Sequence, residues 1–389
     1  MKLYKIAVVA ACPFPYSRGT PVRIFRMAEA LAAHGHDVHV ITYHLGQKLD
    51  ELPFKLHRIP YVPTYKKTSP GPSYQKLTVL DPLLCLKIIS VIRRHKLDII
   101  HAHHYEGLIT ALPAARLLHI PLVFDSHTLL APELPHYPLG IPANILGKIG
   151  SQLDHWLPPK AAHIVTVNNL IRNQLIKEIG IPETKTTTVY GGIELNHFWA
   201  DAFAEPASTQ NTLIYTGNLA SYQGIDLMFR AFSKVLEHHN DVCLKIVTDD
   251  PLSPYDDLIE SLHIRDKLLL EKGNYFDLPS QLRSGAIALH PRVGSNGMPI
   301  KLLNYMATGR AIVSFEGFAE VLQNEITGLV VPKNDIEAFS NAILRLLDSP
   351  DLVKKLGAAA QLTTQQFFVW EKSVNLLESI YLSLLDKTN

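Results

Sequence analysis

Apolar residues run in short unbroken stretches that alternate with segments of helical spacing. Ile6 to Ala11 is continuously apolar, Val22 to His34 carries apolar residues at helical spacing, Gly35 stands where a helix ends, and Val38 to Tyr43 is a strand again. Unbroken apolar strands alternating with helices predict a parallel sheet covered by helices. Further strands are expected at Asp98 to His101, Leu122 to Asp125, His163 to Val167 and Thr187 to Tyr190. The alternation pauses over 191–211, where Gly-Gly and a Glu-Pro-Ala-Ser run read as an interdomain crossing. It restarts with strand Leu213 to Thr216, helix Ile225 to His238 and strands Val242 to Val247, Leu268 to Glu271 and Ala286 to His290. Helix Pro299 to Ala307 and strand Ala311 to Phe315 follow, and one long helical pattern spans Leu362 to Leu385.

Two consecutive units of similar size predict an α/β fold of two doubly wound domains, at 1–192 and 193–360. Residues 361–389 form a terminal helix expected to cross back to the first. A length of 389 residues agrees with two domains that each bury a core. The loop at 61–77 combines three prolines, three lysines and three tyrosines and is expected to form no regular element. It reads as a solvated loop, or as an acceptor-binding or membrane-surface loop, because rings stack on sugars and lysines attract phosphate. The next helix should start with Asp81 as its cap and Pro82 in its first turn, and end in Arg93, Arg94, His95 and Lys96, where cations suit the helix dipole.

Charge narrows the function. With 37 basic against 36 acidic residues the chain carries a formal +1, so nothing global draws it to nucleic acid. Three scattered cysteines, Cys12, Cys85 and Cys243, form neither a disulfide framework nor a zinc ribbon, which points to the cytoplasm. The opening MKLYKIAVVAACPFP superficially resembles a signal peptide. Its apolar run is short and Pro-Phe-Pro replaces a small-residue cleavage site, so it reads as a buried first strand. No stretch approaches the roughly 20 apolar residues that cross a bilayer, and membrane contact would be peripheral, at the inner face.

Several chemistries are absent. No G-x-G-x-x-G follows the first strand, and no P-loop, nucleophile elbow or D-x-D occurs. His101-Ala-His103-His104 looks metal-like, and His101 and His103 share a strand face, but no carboxylate or cysteine nearby in sequence completes a ligand set, so no metal is expected. The first strand–helix loop, ACPFPYSRGTPVRI, sets Gly19 between Arg18 and Arg23, where backbone can approach a ligand, or where a tight turn simply opens a helix.

The string HPRVGSNGMPIKLLNYMATGRAIVSFEG at 290–317 is more specific. A strand ends at His290, a glycine loop follows, and Pro299 opens a helix whose free N–H groups around Gly297 and Met298 would face an anion. Arg292 and Lys301 add positive charge, so a diphosphate is the natural ligand.

The order of motifs resembles the family-4 retaining glycosyltransferases. The resemblance runs through VFDSHTLL at 123–130, VTVNNLIRNQL at 165–175, VYGGIELNHF at 189–198, YTGNLASYQGIDL at 215–227, the 290–317 string, TGLVV at 327–331 and a terminal helix with Trp370. It implies a GT-B fold, two Rossmann-like domains facing across a cleft, and front-face transfer of a hexose-type sugar from a UDP- or GDP-linked donor without metal or other cofactor. The acceptor would be a glycan, a lipid or a metabolite. The family's arginine and lysine for the donor diphosphate here read Asn218 and Gln223, and its paired glutamates read Asn296 and Asn304. A subgroup with TGN…YQGIDL strings shares these changes, and Arg292 and Lys301 could supply the lost charge.

On that reading Arg292, Lys301 and the amides of Gly297 and Met298 stabilise the leaving diphosphate, with Asn218 and Gln223 as neutral donors. His127 matches the family's sugar-contacting histidine, Arg18 and Gly19 face phosphate and acceptor, Asn296 keeps hydroxyl recognition without a carboxylate, and Asn304 binds ribose. Two other readings stay open: a catalytically inactive scaffold of the same fold, and a GT-B epimerase that would recruit Glu133 and His136.

Overall fold

The computed structural model describes every residue except 1, 17–18, 50, 69–70, 138, 195–196, 199–210, 275–276, 295–299 and 387–389. The chain divides into two compact units. One holds Met1–Gly192 and Trp370–Asn389, and the other holds Ile193–Ser295 and Pro299–Val369.

The first unit is a seven-stranded parallel sheet. Its strands are β1 (Lys5–Ala10), β2 (Asp37–Thr42), β3 (Lys55–Arg58), β4 (Ile99–His103), β5 (Leu122–Ser126), β6 (His163–Thr166) and β7 (Thr186–Thr188), in the order β3-β2-β1-β4-β5-β6-β7. Helices α1 (Gly19–Ala33), α2 (Asp81–His95), α3 (His104–Leu118), α4 (Leu130–Glu133), α5 (Ala143–Trp156) and α6 (Asn169–Lys177) connect them. Both faces of the sheet are covered, which is why β1 is apolar throughout. Ile6 and Val8 pack with Ile24, Met27 and Leu31 of α1, while Ala7 and Val9 face Leu84 and Ile88 of α2.

The second unit repeats the plan with six parallel strands: β8 (Thr212–Thr216), β9 (Cys243–Val247), β10 (Leu268–Glu271), β11 (Ile287–His290), β12 (Ala311–Phe315) and β13 (Leu329–Val331), ordered β10-β9-β8-β11-β12-β13. Its helices include α7 (Ile225–Leu236), α8 (Ile300–Ala307), α9 (Ile336–Leu347) and α10 (Pro350–Phe367); α11 (Trp370–Leu385) belongs to the first unit. The expected α/β architecture of two doubly wound sheets is the one adopted. In each sheet the strand order reverses beside the first strand, between β1 and β4 and between β8 and β11, and the carboxyl ends there are where such sheets bind ligands.

Four expectations need correction. The short strands β3 and β13 were not anticipated; β3 is a polar four-residue edge, KLHR, without an apolar run. Residues 76–80, partly inside the loop expected to be irregular, form a π-helical turn that runs into α2. Asp81 is therefore already helical and caps nothing; it is buried and accepts the Tyr43 hydroxyl at 2.5 Å. The terminal helical pattern breaks at Phe368 into α10 and α11. Gly192 fits the break, since a Cβ there would lie 2.3 Å from the Trp370 nitrogen.

Candidate functional site

In the second unit, Tyr305 of α8 takes the Thr216 N–H at 2.8 Å and holds the end of β8. One turn earlier on the same helix, Lys301 donates from Nζ to the Tyr215 hydroxyl at 2.9 Å and to Gln223 Oε1 at 3.0 Å, and it lies 4.3 Å from the centre of the Tyr215 ring. Gln223 passes the chain on, its Nε2 donating to Asn218 Oδ1 at 3.3 Å, while Asn218 Nδ2 donates to the Tyr222 hydroxyl. Burial, and then the charge of Arg292, push Lys301 down to about 7. Its direct partners are neutral oxygens, and among the described residues no carboxylate pairs with it.

Arg292, only 6% exposed, donates from Nε to the Gly294 carbonyl at 2.8 Å and lies between the rings of Tyr222 and Phe318, 5.7 and 5.8 Å from their centres. Its loop is tied back, because the N–H groups of Val293 and Gly294 both donate to the Tyr222 carbonyl. Gly224 permits this approach: its φ is +67° and a Cβ would lie 2.1 Å from the Pro291 carbonyl oxygen. His290 is fully buried, 2.8 Å from Ser314 Oγ, and burial followed by the charges of Lys301 and Arg292 keeps it neutral. A buried ammonium with neutral oxygen partners, beside a buried guanidinium at a strand-end switch point, is an arrangement that can attract an anion.

In the first unit, Asp125 is completely buried and carries four partners. Arg23 Nη2 approaches its Oδ2 at 3.3 Å and donates to the Val189 carbonyl at 2.8 Å; His101 and His103 stand 3.5 and 3.3 Å from Oδ2, and His127 is 3.6 Å from Oδ1. Burial opposes its charge, but Arg23 and the histidines outweigh it and hold Asp125 well below the usual carboxylate range. Burial also pushes His103 down to about 4 and holds His127 well below the usual imidazole value, so both rings are neutral. His127 is wedged between Thr20 Oγ1 at 3.3 Å and His103 at 3.2 Å. A carboxylate therefore does join His101 and His103, contrary to the expectation from their neighbours in sequence, because Asp125 pairs with His103 across β4 and β5. Arg23 already supplies the positive charge there.

Beside this cluster, a cavity of about 250 Å³ opens at the β1 and β4 strand ends. Gly19, Thr20 and Tyr16 line one side, and Lys76, His104, Glu106, Glu133 and Tyr137 bring charge and hydrogen-bonding capacity. His104 has a φ of +64°, an unusual backbone for histidine, and stands 3.1 Å from Glu106. Although burial opposes both charges, their pairing lifts His104 to about 9 and lowers Glu106 to about 2. Tyr137 donates to Glu133 Oε1 at 2.5 Å, leaving the buried Oε2 without a partner. Burial pushes the Cys12 thiol up to about 12, so it is no thiolate nucleophile.

Residues 17–197 match the family described as Glycosyltransferase Family 4, and residues 210–349 match Glycosyl transferases group 1. The chain belongs to glycosyltransferase family 4. It is a retaining enzyme that uses a nucleotide sugar. The N-acetyl-alpha-D-glucosaminyl L-malate synthase of Bacillus anthracis is 24% identical, over 98% of both chains. The sucrose-phosphate synthase structure from Thermosynechococcus elongatus aligns with a TM-score of 0.80 at 17% identity, covering 98% of this chain and 99% of that one. The HepE structure from Anabaena, in complex with UDP and glucose, aligns at 0.72 and 15% identity, covering 97% of this chain and 99% of that one.

Among the expected site residues of this glycosyltransferase, Asn218, Gln223, Lys301 and Arg292 come together, and Asn304 stands half-exposed one turn from Lys301 on α8. Gly19 lines the first unit's cavity with open space around it, and His127 sits beside Asp125. Arg18, Asn296, Gly297 and Met298 lie outside the described residues. Lys76, His104 and Glu106 were not anticipated together; Lys76 lies in the cationic, tyrosine-rich loop at 61–77 and His104 in the histidine string, while Glu106 carried no signal.

Proposed function

We propose that this glycosyltransferase is active and moves a hexose from a nucleotide diphosphate sugar to a cell-envelope acceptor, with its diphosphate clamp shifted to Lys301 and Arg292. One observation carries the reading: Lys301 is buried beside Arg292 with neutral oxygens as its partners, an arrangement that an arriving anion relieves. The Asn218–Gln223 pair, where the family carries arginine and lysine, then orients the Lys301 ammonium. Asn/Gln at these positions would mark a subgroup within the family.

Catalysis on this account is electrostatic. Lys301 and Arg292, helped by the amides of Gly297 and Met298, stabilise charge growing on the departing diphosphate, and that phosphate assists deprotonation of the acceptor on the same face of the sugar. Asn296 and Asn304 bind donor hydroxyls, His127 contacts the sugar as a neutral ring, and Arg18 and Gly19 face phosphate and acceptor. UDP is the favoured nucleotide, since the structurally similar Anabaena HepE was captured in complex with UDP.

The first unit's cavity is proposed to take the acceptor, with Glu133 Oε2 accepting from a hydroxyl. An exposed apolar stripe on α5, Ile145 and Ile149 with Trp156, adjoins exposed Lys148, and Lys160 stacks over the Trp156 ring at 4.1 Å. That combination suits the surface of an anionic membrane, so a lipid-linked acceptor at the cytoplasmic face is favoured. No described helix is long and apolar enough to cross a membrane. Titration calorimetry with UDP and with GDP tests the donor half. Saturable binding of either supports the reading, and binding of neither favours an inactive scaffold.

A further inference from the structure

We propose that His39, His57 and His95 form a binding site for a borderline divalent transition-metal ion, Zn²⁺ first, that pins the edge strand β3 to β2 and to the end of α2. The three histidines come from three separate elements: His39 from β2, His57 from β3 and His95 from the last turn of α2. A ring nitrogen from each lies within 4.8 Å of the other two, and His39 Nδ1 and His57 Nε2 are 3.0 Å apart. Around tetrahedral zinc at about 2.0–2.1 Å from each nitrogen, ligand nitrogens stand roughly 3.4 Å apart. The His39–His57 separation is already close to that value, and the His95 nitrogen lies within 4.8 Å of both.

The hydrogen-bond geometry supports a cation here. His39 Nε2 faces Asp37 Oδ1 at 3.1 Å, and Lys55 Nζ donates to the same oxygen at 2.7 Å. With its Nε2 turned to the Asp37 carboxylate, His39 leaves Nδ1 as the ring nitrogen that faces His57. This is the outer-sphere arrangement that orients metal-bound imidazoles.

His57 and His95 are half-exposed, which gives an ion a route in. Nitrogen ligands and the nearby Lys55 and Lys87 disfavour Mg²⁺ and Ca²⁺, which require oxygen-rich, acidic cages. The site also has a structural consequence. Strand β3 is a short edge with one neighbour, and the chain after it supplies Thr68, Gly71 and Lys76 to the first unit's cavity. Anchoring β3 would steady that wall from the opposite side of the sheet's edge.

The test uses the full-length protein stripped of metal with a chelator, re-equilibrated with ZnCl₂ and desalted. Elemental analysis should find one zinc per chain, and zinc should raise the thermal midpoint by a few degrees, with Mg²⁺ and Ca²⁺ leaving it unchanged. Co²⁺ should give the strong visible bands of a four-coordinate ion. The variants His57→Gln and His95→Gln, at half-exposed positions, should keep the metal-free midpoint and lose both the stoichiometric zinc and the cobalt bands. Absence of retained zinc in the wild type, or one equivalent retained by the double variant, overturns the site. Zinc bound with no rise in midpoint overturns the pinning role.

Discussion

The Lys301 ammonium donates to Gln223 Oε1 at 3.0 Å, joining two positions 78 residues apart in the sequence. Gln223 in turn donates to Asn218, so two amides orient the cation on the neighbouring helix. On the proposed clamp, Lys301 is then the group that must answer to pH.

Lys301 sits near 7 before any anion arrives, and a bound diphosphate raises it by favouring the charged form. Below 7 the lysine is already protonated; above 7, binding must take up a proton. Nucleotide binding should therefore weaken as pH rises, by up to about tenfold per unit until the bound value is reached. Calorimetry of UDP binding at pH 8 in buffers of different ionisation enthalpy should show net uptake approaching one proton, and at pH 6 almost none.

The His104–Glu106 pair gives the cavity its own pH signature. With His104 raised to about 9, its contribution is complete below the unfolded histidine value and fades as pH climbs through 9. With Glu106 lowered to about 2, its share is complete above the unfolded carboxylate value and is lost as pH falls through 2. Between pH 7 and 9 the thermal midpoint of the wild type should fall more steeply than that of Glu106→Gln. Parallel curves would contradict the pairing.

Asp154 on α5 accepts the N–H groups of Leu130 and Ala131, each at 2.9 Å, and the Tyr105 hydroxyl, all in the interior. It thereby fixes α4, which carries Glu133 into the cavity. Asp154→Ala strands three buried donors and should cost about 3 kcal/mol in urea unfolding, against about 1 kcal/mol for Tyr105→Phe. The same variant should raise the acceptor KM more than it lowers kcat.

If α5 meets a membrane, Ile145→Ser with Ile149→Ser should weaken binding to vesicles containing anionic lipid by about tenfold or more, since each isoleucine offers roughly 1 kcal/mol of apolar contact. Transfer to a soluble acceptor analogue should be unchanged. Equal binding by variant and wild type would remove the membrane from the account.

Much of the fold was legible because strands buried on both faces are apolar without interruption, as in Ile6–Ala10 and Ile287–Leu289. Lys301 and Arg292 were legible because they share one short string with a strand end and a helix start. Strand β3 was not, since an edge strand half in water keeps polar residues. The cavity was hidden in its assembly: Lys76, the His104–Glu106 pair of α3 and Glu133 arrive from three separate segments, and no local pattern joins them. The link between Asp125 and His103 depends on strand register, which no local pattern encodes.

The most direct test of the relocated clamp is steady-state sugar transfer by Lys301→Met and Arg292→Met, which keep the apolar stems and remove the charge. The account predicts that each lowers kcat by about 10² or more while the thermal midpoint holds. Transfer within a few-fold of wild type in both variants would contradict it.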